Sequence, residues 1–220
     1  MYGLNDAGLR WQLCLCHFIV STMGGLKSVY DDDFYFWMCP QTGRLVAEAT
    51  IHVDDTLFAS KITWLRNAQN QLEDRYGKIS RQTLPMLHVG VYYQRFPTPQ
   101  SKGVKLHQEE YAAKIKTIDI GPSAKHNTTR KCNSDEVTRL RVCIGALLYL
   151  ALTRMNLMHD IASSSQQILG ATIATSKEAN QIVFRARRQR SSGLRYMLMP
   201  PEPKRLIAIH DSSYAGTQTS

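Results

Sequence analysis

Two adjacent carboxylates, Asp54 and Asp55, stand between two apolar runs, and this stretch constrains the chain more than any other. Before them, Leu45, Ala47, Ala49, Ile51 and Val53 alternate with Glu48, Thr50 and His52, the period-two pattern of a strand with one buried face. Residues 56–60 resume a short strand, so the two acids fall at the bend of a hairpin, where neither side chain need be buried. Neighbours in a strand point to opposite faces, but at a tight turn two successive carboxylates can both approach one cation. The bend is therefore a place to hold a metal ion. Aspartate is also among the commonest turn residues, because its short side chain bonds its own backbone, and taken alone an Asp-Asp bend is more often only a turn.

The rest of the chain supplies the context. Asp6 is placed to cap a helix over residues 7–23, with Trp11, Leu15, Phe18 and Ile19 as its apolar stripe, Trp11 as a core anchor and Gly24-Gly25 as its end. Asp31, Asp32 and Asp33 precede Phe34, Tyr35, Phe36 and Trp37 and read as the solvated start of a strand rather than a metal site. Residues 40–43 form a turn into the Asp54-Asp55 hairpin. Residues 63–76 read as a surface helix with Leu65, Ala68, Leu72 and Tyr76 on one face and Gly77 as its stop.

Strands follow near residues 86–94 and 103–107, split by a proline-bearing stretch at 96–102, and a short helix is expected over 109–118. Residues 121–133 are polar, basic and aperiodic, a loop or linker without regular order. The last third is helical. Val137, Leu140, Ile144, Leu147, Leu148 and Ala151 recur at helical spacing, as do Leu157, Ile161, Ser164 and Ile168. A third helix, near residues 176–191, turns Ile182, Val183 and Ala186 inward and carries Arg185, Arg187, Arg188 and Arg190, which read either as a solvated face or as a contact to a nucleic-acid backbone. Pro200, Pro201 and Pro203 mark a second boundary, after which residues 205–210 form a strand delivering Asp211.

A chain of 220 residues with 43% hydrophobic and 20% charged residues can build its core without staples. Its apolar runs stop well short of the ~20 residues a membrane span requires, and no secretory signal is visible. Cys14, Cys16, Cys39, Cys132 and Cys143 are odd in number and show no paired spacing, which argues against a disulfide framework or zinc site and for an intracellular, reducing compartment, cytoplasmic or nuclear. The net charge of +9 favours polyanionic partners, because neutralised phosphates release their condensed counterions, but it does not say which polyanion.

Strand, His52-Val53-Asp54-Asp55, strand resembles the Tyr-Val-Asp-Asp hairpin in the palm of reverse transcriptases of copia-type retrotransposons. Further stretches match that family in the same order. Tyr2-Gly3-Leu4 with Trp11 looks like the motif before its nucleotide-pocket helix, Leu87-His88-Val89-Gly90-Val91-Tyr92 like its primer-grip hairpin, and Gly103-Val104-Lys105-Leu106-His107-Gln108 with Tyr111 like the segment after it. Ile144 to Arg154 resembles the family's Gly-x-Leu-Leu-Tyr-Leu-x-x-Thr-Arg helix, and His210-Asp211-Ser212-Ser213-Tyr214-Ala215-Gly216 the opening of its RNase H domain.

The resemblance implies an α+β fold: a partial reverse transcriptase palm, antiparallel sheet with helices, over residues 1–96, a mainly helical thumb and connection over 97–199, and a truncated first RNase H strand over 204–220. It assigns Asp54 and Asp55 to catalysis and to Mg²⁺ or Mn²⁺, Val89, Gly90, Val91 and Tyr92 to the primer grip, and Asp211 to the RNase H remnant. Its partners would be an RNA or DNA template-primer and a deoxynucleoside triphosphate. It also implies a third carboxylate on a strand ahead of the segment that opens at Tyr2, so no polymerase activity is expected of this chain alone, and no RNase H activity either. Asp6 stands where the family has a glutamine, His52 where it has a tyrosine, and Met155-Asn156 where it has Pro-Asp. A runner-up expectation is a decayed or domesticated remnant that binds nucleic acid through its basic surface. A third is a fragment with unpaired strand edges that does not fold stably.

Overall fold

Alternating segments of the chain pair into antiparallel sheets, and helically spaced segments supply most of the buried apolar surface. The computed structural model describes residues 6–95, 103–121 and 127–197. Its class is α+β, with two four-stranded antiparallel sheets and six α-helices among the described residues. Tyr2, Gly3, Leu4, the stretch at 96–102, the prolines Pro200, Pro201 and Pro203, the strand expected at 205–210 and Asp211 lie outside the described residues.

The first sheet holds β1 (Leu26–Lys27), β2 (Phe34–Met38), β3 (Leu45–His52) and β4 (Asp55–Ser60) in sequence order. Tyr35 lies opposite Ala49 and Trp37 opposite Ala47, so the large rings of β2 sit beside small side chains of β3. These residues join Ile51, Leu15, Phe18 and Ile19 of α1 (Ala7–Ser21), and Leu72 of α2 (Ile62–Tyr76), in one apolar core. The core takes only the middle of the alternating face, since Leu45 and Val53 at its ends are 52% and 46% exposed.

Three local expectations for this half need correction. Asp6 occupies the N-cap position of α1, but its carboxylate accepts from Arg10 Nε at 2.6 Å instead of capping a backbone amide. Helix α1 ends at Ser21, two residues earlier than its spacing suggested. Trp11 is half-buried at the edge of the core, its ring edge-on to Tyr76 at 4.9 Å. The acidic cluster is spent locally: Asp32 pairs with Lys27 at 2.7 Å and Asp33 accepts from Gln12 at 2.6 Å.

The second sheet holds β5 (Met86–His88), β6 (Val91–Arg95), β7 (Gly103–His107) and β8 (Leu194–Met197). Tyr92 lies opposite His107 and Leu106 opposite Leu194. The division expected between residues 96 and 97 therefore cuts through one sheet, and the hairpin at residues 86–95 belongs with the C-terminal part of the chain rather than with the first sheet. Strand β8 closes that sheet from a region expected to be helical and loop only.

A second core is mainly helical. It joins Ala112 of α3 (Glu109–Lys114) to Leu140, Ile144, Leu147 and Leu150 of α4 (Ser134–Ala151), Ile161 of α5 (Met158–Gln166), and Ala179, Ile182, Val183 and Ala186 of α6 (Ile173–Arg188). Helix α3 stops four residues short of the expected end. Ile115 turns extended, and the Ile118 N–H and C=O are held by the side-chain amide of Asn180 at 2.7 and 2.9 Å, a strand-like pairing that competes with helix. The expected linker is ordered in its described part. Asn133 and Glu136 form a reciprocal capping box at the start of α4, and Arg130 donates to Glu136 at 2.6 Å, holding its carboxyl below the usual range. No helix among the described residues is long and apolar enough to cross a membrane.

Candidate functional site

The β3–β4 hairpin turns through two residues, Val53 and Asp54, with His52 opposite Asp55. Asp54 therefore sits within the turn and Asp55 opens β4, and both are exposed. Neither carboxylate has a hydrogen-bond or ion-pair partner among the described residues. Val53 has φ +56°, a left-handed backbone that a β-branched side chain rarely adopts and that stores strain on the order of 1–3 kcal/mol. Glycine or asparagine would relieve it; valine keeps the tip under tension. The first turn of α1 lies beside this tip, for a Cβ added to Gly8 would stand 3.7 Å from Val53 Cγ1.

Two neighbouring carboxylates are suitable donors for a hard cation that keeps waters and takes phosphate oxygens. They do not make a two-ion centre, which needs ligands shared between the metals. Among the described residues no group of three or more His, Cys, Asp or Glu side chains is close enough to hold a metal. The two carboxylates therefore do not supply the donor set of such a centre by themselves.

The second hairpin, β5–β6, turns at Val89 and Gly90, with His88 opposite Val91. Both turn residues are left-handed, with φ +46° and +70°, the backbone of a type I′ turn. Gly90 meets that demand freely and Val89 does not. The Tyr149 hydroxyl of α4 donates to the Val89 carbonyl at 2.8 Å, so this tip is held by the helical part of the chain. Tyr92, on β6, lies against His107 of β7 with ring centroids 5.1 Å apart. Sequence reading named Val89, Gly90, Val91 and Tyr92 but missed Tyr149, which it saw only as a letter in a helix motif.

The four arginines do not form one open face. Arg185 pairs with Asp160 at 2.5 Å, Arg190 pairs with Glu109 at 3.3 Å, and half-buried Arg187 donates to the Ile115 carbonyl. Arg188 is exposed and has no partner among the described residues. Three of the four therefore serve contacts within the chain, where the sequence offered only a solvated face or a polyanion contact.

The chain is similar to two polyproteins of Arabidopsis thaliana. One is the Retrovirus-related Pol polyprotein from transposon RE1, 27% identical over 178 residues that cover 76% of this chain. The other is the Retrovirus-related Pol polyprotein from transposon RE2, 25% identical over 178 residues with the same coverage. The chain spans 12% of the length of each relative. No protein-family model and no solved structure matches it. These similarities support a retrotransposon polyprotein.

Proposed function

We propose that this chain is the later palm and the thumb and connection region of a copia-type reverse transcriptase, and that alone it engages a template-primer without extending it. One observation carries the reading: a strained two-residue turn presents Asp54 and Asp55, without a partner among the described residues, at the end of a strand whose other face is buried. Mg²⁺ or Mn²⁺ at these acids would need further ligands, since among the described residues no group of three or more His, Cys, Asp or Glu side chains could hold a metal; this favours a segment that is inactive by itself. The order of the matching stretches and the similarity to transposon Pol polyproteins favour the same assignment.

Two measurements test it. In primer extension on a primed RNA template with Mg²⁺ or Mn²⁺, incorporation stays at the level of Asp54→Asn; deoxynucleotide addition that disappears in Asp54→Asn would sink the inactivity. In equilibrium binding, the chain prefers a duplex with a recessed 3′ end over a blunt duplex of equal length. Equal affinity for the two would sink the primer-grip assignment.

Arg188, exposed and without a partner among the described residues, and the net charge of +9 support a second reading, a remnant that binds any nucleic acid by its charge. It requires salt-sensitive binding that ignores duplex ends, is weakened by Arg188→Ala and is untouched by Asp54→Asn. Binding that survives Arg188→Ala unchanged would count against it.

A further inference from the structure

We infer that Tyr149 is a positioning residue for the tip of the β5–β6 hairpin, fixing where the proposed primer grip stands relative to the helical part of the chain. The functional half of this inference rests on the primer-grip reading above. Strand β5 has three residues and lies at the edge of the second sheet, paired on one side only, so the sheet by itself gives the β5–β6 tip little support. The tip of this one is fixed from outside. The Tyr149 hydroxyl donates to the Val89 carbonyl at 2.8 Å, and it does so by occupying the space a side chain at Gly90 would fill: a Cβ there would lie 2.0 Å from the hydroxyl oxygen. Gly90 is thus required twice, for its left-handed φ of +70° and for its missing Cβ.

Tyr149 is itself held. Its ring packs edge-on against Tyr111 at 4.9 Å, and the Tyr111 hydroxyl donates to the Ala146 carbonyl at 3.2 Å, one turn earlier on α4. The neighbours of Tyr149 on α4, Leu147 and Leu150, are buried in the helical core. The hydroxyl is therefore at the end of a rigid lever, with α4 as its base and the turn carbonyl as its load. Any shift of α4 against the second sheet moves the tip, and a ligand that fixes the tip restrains α4 in turn.

A tyrosine that merely filled a gap would show the same contacts, so the test needs a readout that packing alone does not move. Tyr149→Phe keeps the ring and its contact with Tyr111 and removes only the hydroxyl. Amide hydrogen exchange at residues 88–91 is expected to quicken roughly 5- to 10-fold, the loss of one hydrogen bond, with the interior of α4 as protected as before. Gly90→Ala should quicken the same amides, and by less when added to Tyr149→Phe, because the Cβ then has no hydroxyl to meet. In duplex binding, Tyr149→Phe should abolish the preference for a recessed 3′ end while leaving the salt dependence unchanged.

Unaltered exchange in Tyr149→Phe, with fully additive effects of the two substitutions, overturns the inference. So does faster exchange with the end preference intact, which would make the contact structural only. A wild-type chain without end preference overturns the primer-grip reading and the positioning role with it, and the exchange rates still show separately whether the hydroxyl holds the tip.

Discussion

Arg154→Ala lowers the stability of the helical core by about 2–5 kcal/mol, the range for truncating a large buried side chain. Arg154, three residues past the end of α4, is 1% exposed, and its guanidinium reaches the end of α6 and Asn156 in the turn that follows it. Nη1 donates to the carbonyls of Ala186 at 3.4 Å and Gln189 at 2.9 Å, Nη2 to the Gln189 side chain at 3.3 Å, and Nε to Asn156 at 3.1 Å. The last carbonyls of a helix lack amide partners and carry the negative end of its dipole, so a cation there satisfies both. Burial pushes the guanidinium below the usual arginine range, a desolvation cost that the four acceptors help to offset. Alanine leaves the buried Ala186 carbonyl without this donor, loosens the contacts to Gln189 and Asn156, and leaves a cavity where the stem was. Lysine restores the charge but not the fork, and should recover less than half of the loss. Urea unfolding followed by far-ultraviolet circular dichroism reads the effect; a midpoint shift worth less than about 1 kcal/mol would show that the guanidinium does not hold α6.

How much of this was visible in the sequence depends on how local the cause is. The Asp54-Asp55 hairpin was legible because both its signals, alternation and a turn residue, lie within sixteen positions, and the helices at residues 62–76 and 134–151 were legible from their apolar spacing. Strand β8 was not. Its four residues carry no usable alternation, and what makes them a strand is β7, far upstream in the chain, with Leu194 opposite Leu106. Gly193 was the only local hint: a Cβ there would meet the Leu106 carbonyl at 2.2 Å, so the chain can reach that edge only through glycine.

The same distinction explains the site. Charge could be read from Arg185, Arg187 and Arg190, but their partners Asp160, Ile115 and Glu109 lie on other elements, and only the fold shows that these cations are engaged. Arg154 and Tyr149 entered as letters of a motif. Their work, capping a helix thirty-odd residues on and fixing a hairpin sixty residues back, is tertiary and leaves no periodic trace.

Trp37→Ala should cost about 3–5 kcal/mol in the first core and leave the second standing. Trp37 is 6% exposed, its indole N–H donates to the Met23 carbonyl at 2.7 Å, and its ring meets Trp64 edge-on at 4.8 Å and Phe58 at 6.2 Å. It lies opposite Ala47 on β3, so it joins β2 and helix α2 to the hairpin that carries Asp54 and Asp55. Removing the ring opens a cavity beneath that hairpin and should free the two acids from a fixed stance. The two cores share no residue, and each closes its own apolar surface, so they are expected to unfold as separate cooperative units. The chain supplies its own reporters, because Trp11, Trp37 and Trp64 all belong to the first half while α4, α5 and α6 supply helical ellipticity in the second. In Trp37→Ala the tryptophan fluorescence transition moves to lower urea and the late part of the ellipticity transition stays; in Arg154→Ala the reverse holds. If both signals shift together in either variant, the two cores form one cooperative unit, and the hairpin acids are held in place by the helical half as well as by their own sheet.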